Sequence, residues 1–125
     1  MPKTFDQKNK PDLFEELVKL LDDNDCLVDV CIYVDDRRYL SKNFPKKEGA
    51  VFDDDLNLWV QTGIDVLEYI EYANPDTLTL TFEGPLYHDI NYGDATMLDK
   101  IERLAKKYGL YPEMGYAWSM SLYEI

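Results

Sequence analysis

The alternation of Thr77, Thr79 and Thr81 with Leu78, Leu80 and Phe82 constrains this chain more than any other feature. A period of two puts the apolar residues on one side of an extended backbone and the threonines on the other, the pattern of a strand with one buried face. Gly84 and Pro85 then stop it. Proline has no amide hydrogen to give a ladder, but it suits the first turn of a helix, where that hydrogen has no partner. Residues 86–91 are therefore expected to turn helical. A chain with such a strand must build a sheet around it and cover the apolar face.

The covering elements are legible. Leu13, Leu17, Leu20 and Leu21, widened by Phe14 and Val18, form a helical stripe from Pro11 to about Asp22. Met97, Ile101, Leu104, Ala105 and Tyr108 form a second, with Thr96 and Asp99 at capping-box spacing, Lys106 and Lys107 in the last turn and Gly109 after it. Residues 27–34 are apolar and β-branched except for Asp29, as in a central strand, and Asp35-Asp36 begins a hairpin return, with a four-residue loop expected for want of glycine. Residues 41–49, with Pro45 and three lysines, read as a surface loop, and residues 56–60 as a third strand. Residues 64–72 fit either a short helical turn leading into an extended 71–73 or an extended segment throughout, Asn74-Pro75-Asp76 fits a turn, and residues 111–115, with Pro112, a connection. The last segment alternates Trp118, Met120 and Leu122 inward with Ser119, Ser121 and Tyr123 outward. If it lies beside the threonine strand after a helical crossover, the two run parallel. The fold class is thus α+β: one small domain over residues 11–125, with a mixed, mostly antiparallel sheet of about four to five strands. An N-terminal helix precedes the sheet, one or two helices come before the last strand, and residues 1–10 form a flexible arm.

At 125 residues the chain is long enough for one real core, and no apolar run approaches the ~20 residues of a membrane span. The N-terminal sequence lacks the apolar centre of a signal peptide, so the cytoplasm is the expected compartment. The formal charge is −12, and residues 11–95 carry 20 Asp and Glu against 6 Lys and Arg. Such a field repels nucleic acid and anionic membrane and attracts basic surfaces, which argues against direct binding of either.

Candidate chemistry is sparse. Asp53, Asp55 and Asn57 match the first ligand spacings of a calcium loop, but Leu58 stands where its glycine is needed and Ile64 where its bidentate acid is needed. Asp22, Asp23 and Asp25 fail likewise. Cys26 and Cys31 read as reduced thiols, small core residues of one strand facing opposite ways. His88, the only histidine, has neither a nucleophile motif nor an activated cysteine to serve, and no phosphate-binding glycine loop occurs. Asp29, within the most apolar strand, is the one acid that burial would single out. No catalytic residue, cofactor or metal is assigned, and the balance is against an enzyme.

Ten tyrosines remain to be explained, eight of them (Tyr33, Tyr39, Tyr72, Tyr87, Tyr92, Tyr111, Tyr116 and Tyr123) where no apolar stripe demands them. Tyrosine combines large contact area with a polar tip and is favoured in interfaces. The sequence therefore points to a non-enzymatic acidic interaction protein that binds a basic protein surface. Its sharpest form is a nucleic-acid mimic that occupies the groove of a DNA- or RNA-handling enzyme. The expected contacts are Asp22, Asp23, Asp25, Asp35, Asp36, Asp53, Asp54 and Asp55, with Tyr87, Tyr92, Tyr111 and Tyr116 as anchors. In size, charge and lack of a catalytic motif the chain resembles, in composition alone, the inhibitors of restriction and CRISPR nucleases carried by phages and mobile elements. Two rivals are a small-ligand or peptide-binding module using a cleft beside Gly84-Pro85, and an enzyme that uses Asp, Glu and Tyr without a recognisable motif.

Overall fold

A computed structural model describes residues 5–45 and 47–125; within them lie three α-helices and one seven-stranded antiparallel sheet. Helix α1 spans Lys10–Asp23, strands β1 and β2 Val30–Val34 and Arg37–Ser41, and β3 and β4 Val51–Asp53 and Leu58–Gln61. Strand β5 is Leu78–Phe82, α2 Pro85–Tyr92, α3 Thr96–Lys107, and β6 and β7 are Leu110–Met114 and Ser119–Glu124. The sheet order is β3-β4-β2-β1-β5-β7-β6, so β1 is central, as its composition implies.

Register sorts the side chains. Ile32 pairs with Leu80, and Leu80 with Met120, so Val30, Ile32, Val34, Leu78, Leu80, Phe82, Met120 and Leu122 share one face. That face forms the core with Leu13, Leu17, Leu21, Leu86 and Ile101 of the helices. Pro85 opens α2 directly after the threonine strand, with Gly84 at the N-cap. A Cβ at Gly84 would lie 2.9 Å from the Val28 carbonyl oxygen, so the 28–29 loop packs closely on this turn.

Several expectations are corrected. The sheet has seven strands, and β5 and β7 are antiparallel neighbours, because residues 110–114 are themselves a strand, which reverses the chain before the last one. Pro112 concealed it. Ile125 N–H bonds Gly109 O and Gly115 N–H bonds Ser119 O, so the odd-numbered residues of β6 face β7 and the backbone of Leu110, Pro112 and Met114 faces outward. A proline at the outward position of an edge strand loses no ladder bond. Residues 51–61 form two strands around a turn at Asp54–Asn57. The β1–β2 turn holds two residues, Asp35 taking the left-handed conformation (φ 55°) that aspartate tolerates better than most. Asp29, also left-handed at φ 56°, precedes β1 at the half-open strand end, where its carboxylate accepts a 2.6 Å hydrogen bond from Asn43 Nδ2.

Neither face of β5 is open to water. Thr77 and Thr79 are buried, because residues 64–76 fold over the second face and bring Val66 and Ile70 against Tyr33. Thr79 Oγ1 and Ser121 Oγ lie 2.8 Å apart, Thr77 Oγ1 donates to Leu122 O, and Asn74 Nδ2 donates to the same carbonyl at 2.8 Å, so the buried hydroxyls are satisfied. Residues 64–72 contain a single 3-10 turn, Val66–Glu68. The capping box at α3 is replaced by a tertiary cap: Ala95 is the N-cap, and the Met97 N–H is bonded by Asp89 Oδ2 of α2 at 2.9 Å. Packing begins earlier than residue 11. Phe5 lies in the core, residues 7–9 form a 3-10 turn, and Lys10 is buried; residues 1–4 of the expected arm lie outside the described residues, as does Lys46.

Candidate interaction surface

The predicted acids are spread over separate places. Asp22 and Asp23 end α1 and Asp25 follows it, Asp35-Asp36 caps the β1–β2 hairpin, and Asp53, Asp54 and Asp55 belong to the β3–β4 turn. Register places the last two groups at opposite ends of the sheet, since Arg38 pairs with Gln61 and Ser41 with Leu58. Asp35, Asp53 and Asp55 nevertheless line one groove of about 330 Å³ between α1 and the β2–β4–β3 side. The groove carries both signs of charge: Lys10 Nζ, itself buried, meets Asp35 Oδ1 at 2.9 Å, and Arg37 lies beside it. Asp53 is occupied by its own turn, with Oδ1 accepting from the amides of Asp55 and Leu56 at 3.0 Å. Asp23 pairs with Lys19 at 3.0 Å. Asp22, Asp25, Asp36, Asp54 and Asp55 have exposed side chains and no ion pair among the described residues.

The tyrosines gather more closely. Tyr33 and Tyr39 are core residues. At the β6–β7 end, the turn that joins the two strands presents Tyr116 and Trp118 with rings stacked at 5.0 Å and only 9° apart. Tyr72, from the segment that crosses the second face, stands 5.6 Å from Tyr116, and Tyr111 stands 6.1 Å from Tyr123. Trp118, expected inward, precedes β7 and is 38% exposed, beside Tyr116 at 39%, Tyr111 at 41% and Tyr72 at 54%. The arrangement is fastened from below. Tyr123 donates to Tyr72 O at 2.9 Å, and the Tyr116 amide donates to Ser119 Oγ at 2.8 Å. The turn is closely packed at Gly115, where a Cβ would fall 2.9 Å from Ser119 Oγ and 3.3 Å from the Tyr72 Cβ and force one of them to shift. A recess of about 450 Å³ lies between Tyr72, Glu113, Met114, Gly115 and Tyr123.

Tyr87 and Tyr92 form a separate pair on α2, 6.0 Å apart. Their helix abuts the same turn through Asn91 Nδ2, which donates to Ala117 O at 2.9 Å. His88, exposed, stands 5.9 Å from the Tyr92 ring.

The stretches that supply these rings are acidic. Residues 62–95 carry seven Asp or Glu and no Lys or Arg, and residues 109–125 carry two Glu and no Lys or Arg. Tyr116 donates to Glu71 Oε2 at 3.0 Å and Tyr111 to Glu113 Oε2 at 3.3 Å. The Glu71 hydrogen bond pushes the Tyr116 phenol above its ordinary value, and desolvation followed by the charge of Glu113 does the same for Tyr111. Sequence reasoning placed Trp118 inward, passed over Glu71 and Glu113, and left Tyr72 and Tyr123 out of the expected contacts although it singled both out as tyrosines without an apolar stripe. The absence of cations from both stretches was the available signal.

Burial pushes the Cys26 and Cys31 thiols up, Asp89 and Asp25 adding to it at Cys26, which disfavours the nucleophilic thiolate. No group of three or more His, Cys, Asp or Glu among the described residues is placed to hold a metal ion. No helix among them is long and apolar enough to cross a membrane. The fold and surface define a small α+β domain with an acidic aromatic face. No family model, curated protein or solved structure matches the chain.

Proposed function

We propose that this protein is a non-enzymatic interaction module that binds a basic protein surface. The observation that supports the reading is the exposed aromatic group Tyr72, Tyr111, Tyr116 and Trp118, which belongs to two stretches, residues 62–95 and 109–125, that carry acids and no Lys or Arg. Exposed Tyr and Trp supply large contact area at small entropic cost, and carboxylates around them select a cationic partner. In the finer form of the reading the partner is the nucleic-acid groove of a DNA- or RNA-handling enzyme, such as a nuclease, and the free carboxylates at Asp22, Asp25, Asp36, Asp54 and Asp55 stand in for phosphates.

The test is kinetic. The partner is captured from the native host at low salt, purified, and its association measured against ionic strength, with duplex DNA as competitor. Association should slow as salt rises, because screening limits exposed charges to ~8 Å at about 0.15 M. A variant combining Asp53→Asn, Asp54→Asn and Asp55→Asn should associate more slowly and with a flatter salt dependence. It should melt like wild type, since the asparagine side chain keeps an oxygen to accept from the turn amides that Asp53 caps. Binding that is indifferent to salt and to the triple change would reject the reading. A small-ligand module would then take the mixed-charge groove beside Lys10 and Asp35 as its site.

A further inference from the structure

We infer that the recess beside Tyr72 and Glu113, with the Tyr116–Trp118 stack next to it, is a docking surface for an arginine-bearing segment of a basic partner protein. This rests on the interaction reading above and names the chemistry of the contact. Guanidinium is planar, stacks on aromatic faces and offers a fork of donors to a carboxylate, whereas an ammonium is a compact, strongly hydrated point charge. The surface offers both halves of that recognition. Tyr72, Tyr116 and Trp118 supply ring faces, and Glu113 and Glu71 supply acceptors at the recess and beside the stack. Each carboxylate takes one tyrosine hydroxyl and meets no cation among the described residues, which leaves acceptor positions for a guanidinium.

Other occupants fit less well. A purely apolar partner would strip water from Glu71 and Glu113 without replacing it, a penalty that unpaired buried charges do not recover. Single-stranded nucleic acid could stack its bases on the rings, but its phosphates would face a surface with no Lys or Arg in residues 62–95 or 109–125. Arginine supplies the stacking without that repulsion.

The experiment uses the full chain and three probes of equal length: octa-arginine, octa-lysine and an oligothymidylate, each titrated by calorimetry at one ionic strength. Octa-arginine should bind roughly five- to tenfold more tightly than octa-lysine, and the oligothymidylate not at all. Tyr116→Ala and Trp118→Ala should each erase the preference for arginine. Glu113→Gln, which keeps the shape of the side chain, should weaken octa-arginine severalfold and provides the decisive comparison if an aromatic variant melts early. Equal binding of both peptides, unchanged by Trp118→Ala and Glu113→Gln, would overturn the arginine dock while leaving the basic-partner reading in place. No binding of either peptide even at low salt would overturn both. Preferential binding of the oligothymidylate would assign the surface to single-stranded nucleic acid and reject the arginine dock.

Discussion

Leu80 shows how far a single residue's setting can be read from its neighbours. Its place in the threonine strand implied a buried apolar face, and it is fully enclosed between Ile32 and Met120 at the middle of the sheet. Truncation to Ala should cost about 2–5 kcal/mol, the usual range for emptying a packed site, and a urea melt that shows a loss under ~1 kcal/mol would mean the site collapses or is not central. The threonines beside it were legible as strand residues but not as buried ones. Their burial depends on residues 64–76 folding back over them and on hydroxyl pairing with Ser121, contacts 42 positions apart that no local pattern encodes. Trp118 illustrates the same limit. Alternation alone placed it with Met120 and Leu122, but the strand begins one residue later, and Trp118 turns out toward Tyr116.

At the scale of elements, periodicity located α1 and α3 and the Gly84-Pro85 break located α2, while partners settled the start of α3. Helix α3 starts where Asp89 caps it from α2, so the expected Thr96 box is unused. Its other end is tied to α1 by Glu16, which accepts from Tyr108 and meets Lys107 at 3.1 Å. The Tyr108 hydroxyl, then Lys107, holds Glu16 below its ordinary value, while burial and the Glu16 carboxylate push Tyr108 up to about 12. The signs follow. The depressed Glu16 contributes stability that is present above its unfolded value and lost as pH falls through the folded one. The raised Tyr108 contributes stability that is full below about 10 and lost as pH rises from there toward about 12. Tyr108→Phe should cost about 1 kcal/mol at neutral pH, kept small by the half-exposed carboxylate. Urea melts at stepped pH should show the deficit shrinking below the usual carboxylate range; a constant deficit would mean lost packing and not the hydrogen bond. Strands β3 and β6 were the elements hidden from the sequence. Proline disqualifies a central strand, and only its outward position at the edge makes Pro112 compatible with the ladder.

For the whole molecule, class and charge were legible, and the assembly of the surface was not. The acidic turns stand out in the sequence because they are consecutive, whereas the aromatic face joins residues near 72, 111, 116 and 123 through a hairpin and a crossing segment. Pro112→Val should fold and melt within ~1 kcal/mol of wild type, being a half-exposed edge change. Sedimentation velocity over a concentration series should nevertheless show self-association in the variant and none in the parent; identical profiles would mean the edge is guarded by something else. The parent's proline leaves a gap in the row of donors that a second sheet would need for edge-to-edge growth. A molecule that keeps several aromatic rings in water beside an open strand invites fibril-like stacking of its own copies. One missing hydrogen at the border takes away a donor that such stacking would use.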